Sequence, residues 1–230
     1  PMRKLFALTS ALALLTSATA APATVVDPAD DFLATYTGPD SADLDIRSGD
    51  VAFDGTTFFF TATLAGDVDP TPGQLYAWGI DRGAGMPRID LLRDPDIAAD
   101  VLFDAVVVML PNGTLTVAII PLAGPPAFTT FVGGTTIHGD TILGSVPLSL
   151  LAPNGSAPED FTFGLWSRLR VDPTVDGTNH EIADFLQGSG SLNPRVVPEP
   201  ATWLTMLLGF GVAGSVMRRC RRVNQTASLA

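Results

Sequence analysis

Val51-Ala52-Phe53-Asp54-Gly55-Thr56-Thr57-Phe58-Phe59-Phe60-Thr61-Ala62-Thr63-Leu64 is the stretch that decides the fold. From Thr57 to Leu64 the side chains alternate, with Phe58, Phe60, Ala62 and Leu64 on one face and Thr57, Phe59, Thr61 and Thr63 on the other, the period of a strand with one buried face. Asp54-Gly55 supplies the tight turn that folds this strand back on Val51–Phe53, because glycine accepts the positive φ such turns require. Working outward, a second hairpin is predicted where Val101–Leu110 meets Thr114–Ile120 across Pro111-Asn112-Gly113. Further strands are predicted at Leu75–Ile80, Phe128–Val132, Thr141–Leu151, Phe161–Arg170 and His180–Phe185, with Pro147 marking an edge or a bulge. A brief helix is expected at Pro95–Asp100, capped by Asp94. Many short strands with no repeating period predict an all-β chain, an antiparallel β-sandwich or jelly roll.

Composition agrees with a folded body. The chain has 230 residues, 46% hydrophobic and 16% charged, too apolar for a disordered polymer. Thirteen Lys and Arg face 24 Asp and Glu, a net charge of -11. That balance argues against nucleic acid, whose phosphates need clustered basic residues. A single cysteine, Cys220, excludes an internal disulfide and a cysteine metal cage.

The basic residues gather at the two ends. Arg3-Lys4 precede the apolar run Leu5–Leu15 and the small residues Ala18 and Ala20, the pattern of a signal peptide at 1–20 cut by signal peptidase after Ala20. At the other end, Ala201–Met217 carries no charge and is followed by Arg218, Arg219, Arg221 and Arg222. A helix of that length is at the lower limit for crossing a bilayer, and the arginines place the tail 223–230 on the cytoplasmic side. The segment between, 21–192, is the expected exported acidic sandwich domain, with 193–197 as a linker to the tail signal at 198–222. Between residues 21 and 197 there are 23 acidic and 7 basic residues, a net charge of -16.

Just before the apolar run stand Pro198-Glu199-Pro200 and, three residues after the second proline, Trp203. Two prolines hold the motif extended and out of the helix that follows. Trp203 sits where an indole favours the headgroup interface. Motif, short apolar helix and basic stop, in that order, resemble the PEP-CTERM sorting signal of Gram-negative bacteria in its Trp-containing variant. The resemblance implies exosortase as partner, with Pro198, Glu199 and Pro200 as the recognition motif. It further implies an inner-membrane intermediate, processing near the motif, and delivery to the cell surface or an extracellular, biofilm-type matrix.

Catalytic chemistry is poorly supplied between the two ends, where His138 and His180 are the histidines, Lys and Cys are lacking, and no G-x-S-x-G elbow occurs. The chain reads as not an enzyme. Asp27, Asp30, Asp31, Asp43 and Asp45 form the densest acidic group, and calcium is the metal such oxygens would hold, with plain surface solvation as the competing reading. Tyr76 and Trp78, two apart on one strand, together with Phe59 and Trp166, are the aromatics that a sugar-binding face would use, against core packing as the default. The opening Asp27–Asp31 and Asp43-Leu44-Asp45-Ile46 resemble the start of sandwich domains such as the family 9 carbohydrate-binding modules. The expected function is therefore a secreted or surface-displayed structural or interaction protein, with extracellular polysaccharide as a candidate partner. A carbohydrate-binding module is the alternative, and a hydrolase the third.

Overall fold

A computed structural model describes residues 25–68, 73–89, 101–170, 179–186, 192–197 and 210. Along them run β1 (Val25–Val26), β2 (Ile46–Phe53), β3 (Thr57–Leu64), β4 (Gln74–Asp81), β5 (Met86–Pro87), β6 (Leu102–Phe103) and β7 (Ala105–Met109). They are followed by β8 (Thr114–Ile119), β9 (Ala127–Val132), β10 (Thr135–His138), β11 (Thr141–Pro147), β12 (Thr162–Leu169), β13 (Ile182–Phe185) and β14 (Arg195–Val196). One six-stranded sheet has the order β1-β2-β3-β11-β10, with β14 also on β2; the other has the order β13-β12-β4-β7-β8-β9. Pairing is antiparallel except for β14 on β2. The all-β sandwich expected from the sequence is what forms.

The deciding hairpin closes as its residues dictate. Gly55 takes φ 97° and the Asp54 carboxylate accepts the N–H groups of Thr56 and Thr57 at 2.9 and 2.8 Å, so side chain and glycine together fix the turn. Phe58, Phe60, Ala62 and Leu64 are buried and Phe59 is exposed, the predicted alternation. Phe60 then reaches across the sandwich to within 5.6 Å of the Trp78 ring and 5.9 Å of Phe163. The two sheets approach so closely that a Cβ on Gly49 would lie 2.8 Å from Leu186 and 2.9 Å from Trp78, and one on Gly144 would lie 2.7 Å from Met109 Sδ. These contacts set β2 over β4 and β12, and β11 over β7. A second apolar cluster, including Leu33, Ala77, Phe103, Trp166, Ile182 and Phe185, lies on the outer face of the second sheet.

Four departures from the sequence expectation have physical causes. The strand expected at Val101–Leu110 is interrupted at Asp104, whose carboxylate turns in to accept Arg82 Nε at 3.0 Å and Asn154 Nδ2 at 2.6 Å; β6 pairs with β5 instead and β7 alone makes the hairpin with β8. The strand expected to run to Leu151 stops at Pro147, past the end of β10, and continues as a 3-10 turn at Leu148–Leu150. The segment beginning at His180 opens as a 3-10 turn, Asn179–Glu181, before β13. Residues 193–197, read as a linker, contribute β14, and the Val197 N–H donates to Phe53 O at 2.7 Å. The signal peptide at 1–20, the helix at 95–100, and the tail features Pro198, Glu199, Pro200, Trp203 and the four arginines lie outside the described residues. Among the described residues no helix is long and apolar enough to cross a membrane.

Candidate functional site

The acidic segment after β1 folds back across the starts of β2 and β13. Asp27 N–H donates to Arg47 O at 3.0 Å and Leu33 N–H to Ala183 O at 2.9 Å, pinning both ends of the segment. Between them Asp30 adopts φ 59°, a left-handed conformation that aspartate tolerates better than most residues, and its N–H donates to Asp45 Oδ2 at 2.9 Å. Arg47 lies where the β2–β3 register shifts between Ile46 and Ser48, so the backbone bends at the cluster.

This fold brings one carboxylate oxygen from each of Asp27, Asp31 and Asp184 within 4.8 Å of one another. Asp27 and Asp184 are each only 1% exposed. Asp184 accepts the N–H of Ile46 at 2.6 Å and that of Phe185 at 2.7 Å, so its orientation is fixed from both sheets. Burial, and then the charges of Asp27 and Asp31, push the Asp184 carboxyl up to about 7, while the two backbone donors pull the other way. Burial also raises Asp45, opposed first by the Asp30 backbone N–H and then by Arg47, with the charges of Asp30 and Asp31 adding to the rise. Three oxygens at this spacing suit two chemistries: a shared proton, or coordination of a hard divalent cation such as calcium, whose ligand oxygens sit 2.3–2.6 Å from the ion in typical sites.

Of the five aspartates singled out by density, Asp27 and Asp31 enter this triad, and Asp30 and Asp45 flank it. Asp43 stands apart: its carboxylate accepts Gln74 Nε2 at 2.8 Å and Ser41 Oγ, and its carbonyl accepts the Tyr76 hydroxyl at 2.7 Å. Asp184 was missed. Its signal in the sequence was a lone carboxylate inside the apolar strand Ile182-Ala183-Asp184-Phe185, buried at every position.

The four aromatics do not converge on one exposed face. Tyr76 and Trp78 do point the same way, but into the core, both at 0% exposure. Trp166 lies on the outer face of the second sheet, stacked on Phe185 at 5.8 Å and 7% exposed. Phe59 alone of the four is exposed, on the outer face of the first sheet beside a shallow depression of about 300 Å³ lined also by Thr61, Thr136, Leu143 and Ser145. The histidines are on different elements: His138 is exposed on β10 of the first sheet, and His180, in the 3-10 turn that precedes β13, has its Nδ1 3.1 Å from Thr35 O. Glu181, 1% exposed, is paired with Arg168.

The remaining functional element is the tail that leaves the body through β14. Residues 196–222 match the family model of the PEP-CTERM protein-sorting motif, a match that begins within β14 itself. The chain thus carries the recognition signal for exosortase, and that signal points to export to the cell surface. No curated protein and no solved structure matches the chain.

Proposed function

We propose that the chain is a non-catalytic structural or interaction protein of a Gram-negative extracellular matrix, exported by its signal peptide, held briefly in the inner membrane by the tail helix, and released by exosortase at the Pro198-Glu199-Pro200 motif. The observation that carries this reading is the sorting motif at 196–222, joined directly to a β body in which the buried apolar side chains among the described residues fall between Leu33 and Leu192. A self-contained core with its sorting signal at one end is a body that survives removal of the signal. Signal peptidase acts at the other end, and the extracellular polysaccharide is the matrix component the body would meet. The non-catalytic reading is supported by the separation of the two histidines and the engagement of Glu181 by Arg168. A carbohydrate-binding role rests on Phe59 and its depression alone.

The test is fractionation with mass spectrometry. The mature protein is expected in the surface or medium fraction without Arg218–Arg222, and alanines at 198, 199 and 200 are expected to leave it in the inner membrane. Recovery from the surface of peptides joining the body to those arginines would overturn the reading.

A further inference from the structure

The strand β9 ends the second sheet, and among the described residues no strand pairs with its outer side. It reads Ala-Phe-Thr-Thr-Phe-Val, without a charge, a proline or a bulge, and its Phe128 and Val132 are 68% and 94% exposed. An uncovered, uncharged, apolar edge is a template for another strand, and most proteins blunt such edges with lysine or proline.

Charge says which partner fits. Between Asp104 and Glu159 the chain carries one charged side chain, Asp140, whereas residues 21–197 as a whole hold 23 acidic against 7 basic residues. The strands β7 to β11 therefore make a nearly neutral end of an otherwise strongly acidic sandwich. Two copies of this body repel each other in most orientations and meet the least repulsion at this end. A basic partner finds few carboxylates here to pair with, Asp140 and, beside Gly139, Asp67.

We propose that β9 pairs with β9 of a second copy, antiparallel, about a two-fold axis through Thr130, to make one continuous sheet across the dimer. The register follows from the pleat. A two-fold axis perpendicular to the sheet keeps each face on its own side, so it must pass through a residue and not between two. An axis through Thr130 sets Phe128 opposite the partner's Val132 twice, covering the two most exposed apolar side chains of the strand on one face. It also sets Thr130 against its own copy, extending the Thr116–Thr130 hydroxyl contact already present at 3.0 Å. An axis through Thr129 would leave Val132 unpaired. Pro125 and Pro126 end the ladder before Ala127, so the pairing is short and closed. The strand β14, from which each tail leaves, lies on β2, at the end of the sandwich away from β9.

The test uses residues 21–197, whose described core is complete within those bounds, and which contain no cysteine. Sedimentation equilibrium should show a dimer that tightens as salt rises and screens the acidic bodies. Thr130→Cys should form a disulfide-linked dimer under mild oxidant, and Thr136→Cys, exposed on the neighbouring β10, should not. Thr130→Asp, which sets two carboxylates face to face across the axis, should weaken dimerisation at least tenfold with an unchanged circular dichroism spectrum. A monomer at all concentrations, a dimer indifferent to Thr130→Asp, or cross-linking no faster at 130 than at 136 would each overturn the proposal. So would capture of a different protein at position 130 in cells by the full chain while the body alone stays monomeric.

Discussion

The Asp184 carboxylate takes the backbone N–H of Ile46 at 2.6 Å, so a buried acid on the last strand of one sheet holds the start of β2 in the other. The same carboxyl lies among the charges of Asp27 and Asp31, and the stability of the fold therefore depends on its proton. Its folded pKa of about 7 stands above the roughly 3.9 of an unfolded aspartate. Below pH 4 both states hold the proton; between about 4 and 7 only the folded state keeps it, so stability falls as pH rises through that window and levels off above it. The loss is on the order of 2–4 kcal/mol. Urea denaturation of residues 21–197 in chelator, between pH 4 and pH 8, should show this decline, and Asp184→Asn should flatten it. A profile unchanged by the substitution would place the titration elsewhere.

Calcium should act on the same three carboxylates. A divalent ion among Asp27, Asp31 and Asp184 removes their mutual repulsion, and binding only to the folded state raises stability by mass action, roughly 1.4 kcal/mol at ten times Kd. At pH 7.5 and constant ionic strength, millimolar calcium is expected to raise the melting midpoint relative to chelator. Asp27→Asn with Asp184→Asn should abolish the shift, and Asp43→Ala, outside the triad, should keep it. An unchanged midpoint in the native body rejects calcium at this site.

The aromatics show how far one-dimensional reading goes. Alternation alone separated Phe59 from Phe58 and Phe60, because each strand position has only two faces and three phenylalanines in a row cannot share one. The same rule put Tyr76 and Trp78 together but could not say which face was the core, since Ala77 and Gly79 opposite them are small and their own face is covered by Phe103 and Trp166. Trp78→Ala should therefore cost about 3–5 kcal/mol, and Phe59→Ala within about 0.5 kcal/mol. Chemical denaturation of the two variants checks this; similar costs would mean Phe59 packs against something else. Proximity between Asp27, Asp31 and Asp184 was beyond the sequence for a different reason: it depends on β13 reaching the start of β2, a long-range contact no local pattern encodes. The short strands β1, β5 and β14 were likewise invisible, because two residues carry no period.

The tail departs from the body under restraint, and that restraint should set how fast it is processed. Val197 N–H donates to Phe53 O at 2.7 Å, Arg195 and Val196 pair with Ala52 and Phe53, and the Arg195 guanidinium meets Asp50 at 3.0 Å. The Pro198-Glu199-Pro200 motif begins at the next residue, so only these three positions separate the last hydrogen bond to the body among the described residues from Ala201. Three residues span about 10 Å at full extension, which leaves an enzyme groove little backbone to grip while β14 stays paired. Recognition of an extended segment therefore competes with the body for the same stretch of chain. Val197→Pro removes the donor to Phe53, and Arg195→Ala removes the ion pair with Asp50; each should loosen β14 without touching the core. Pulse-chase of the membrane-held precursor is expected to show faster conversion to the mature form in both, most in the double variant, and Asp50→Ala should reproduce the effect of Arg195→Ala from the other side of the ion pair. Slower or unchanged conversion in all three would mean that β14 opens freely before cleavage, or that the paired strand is itself part of what the enzyme recognises.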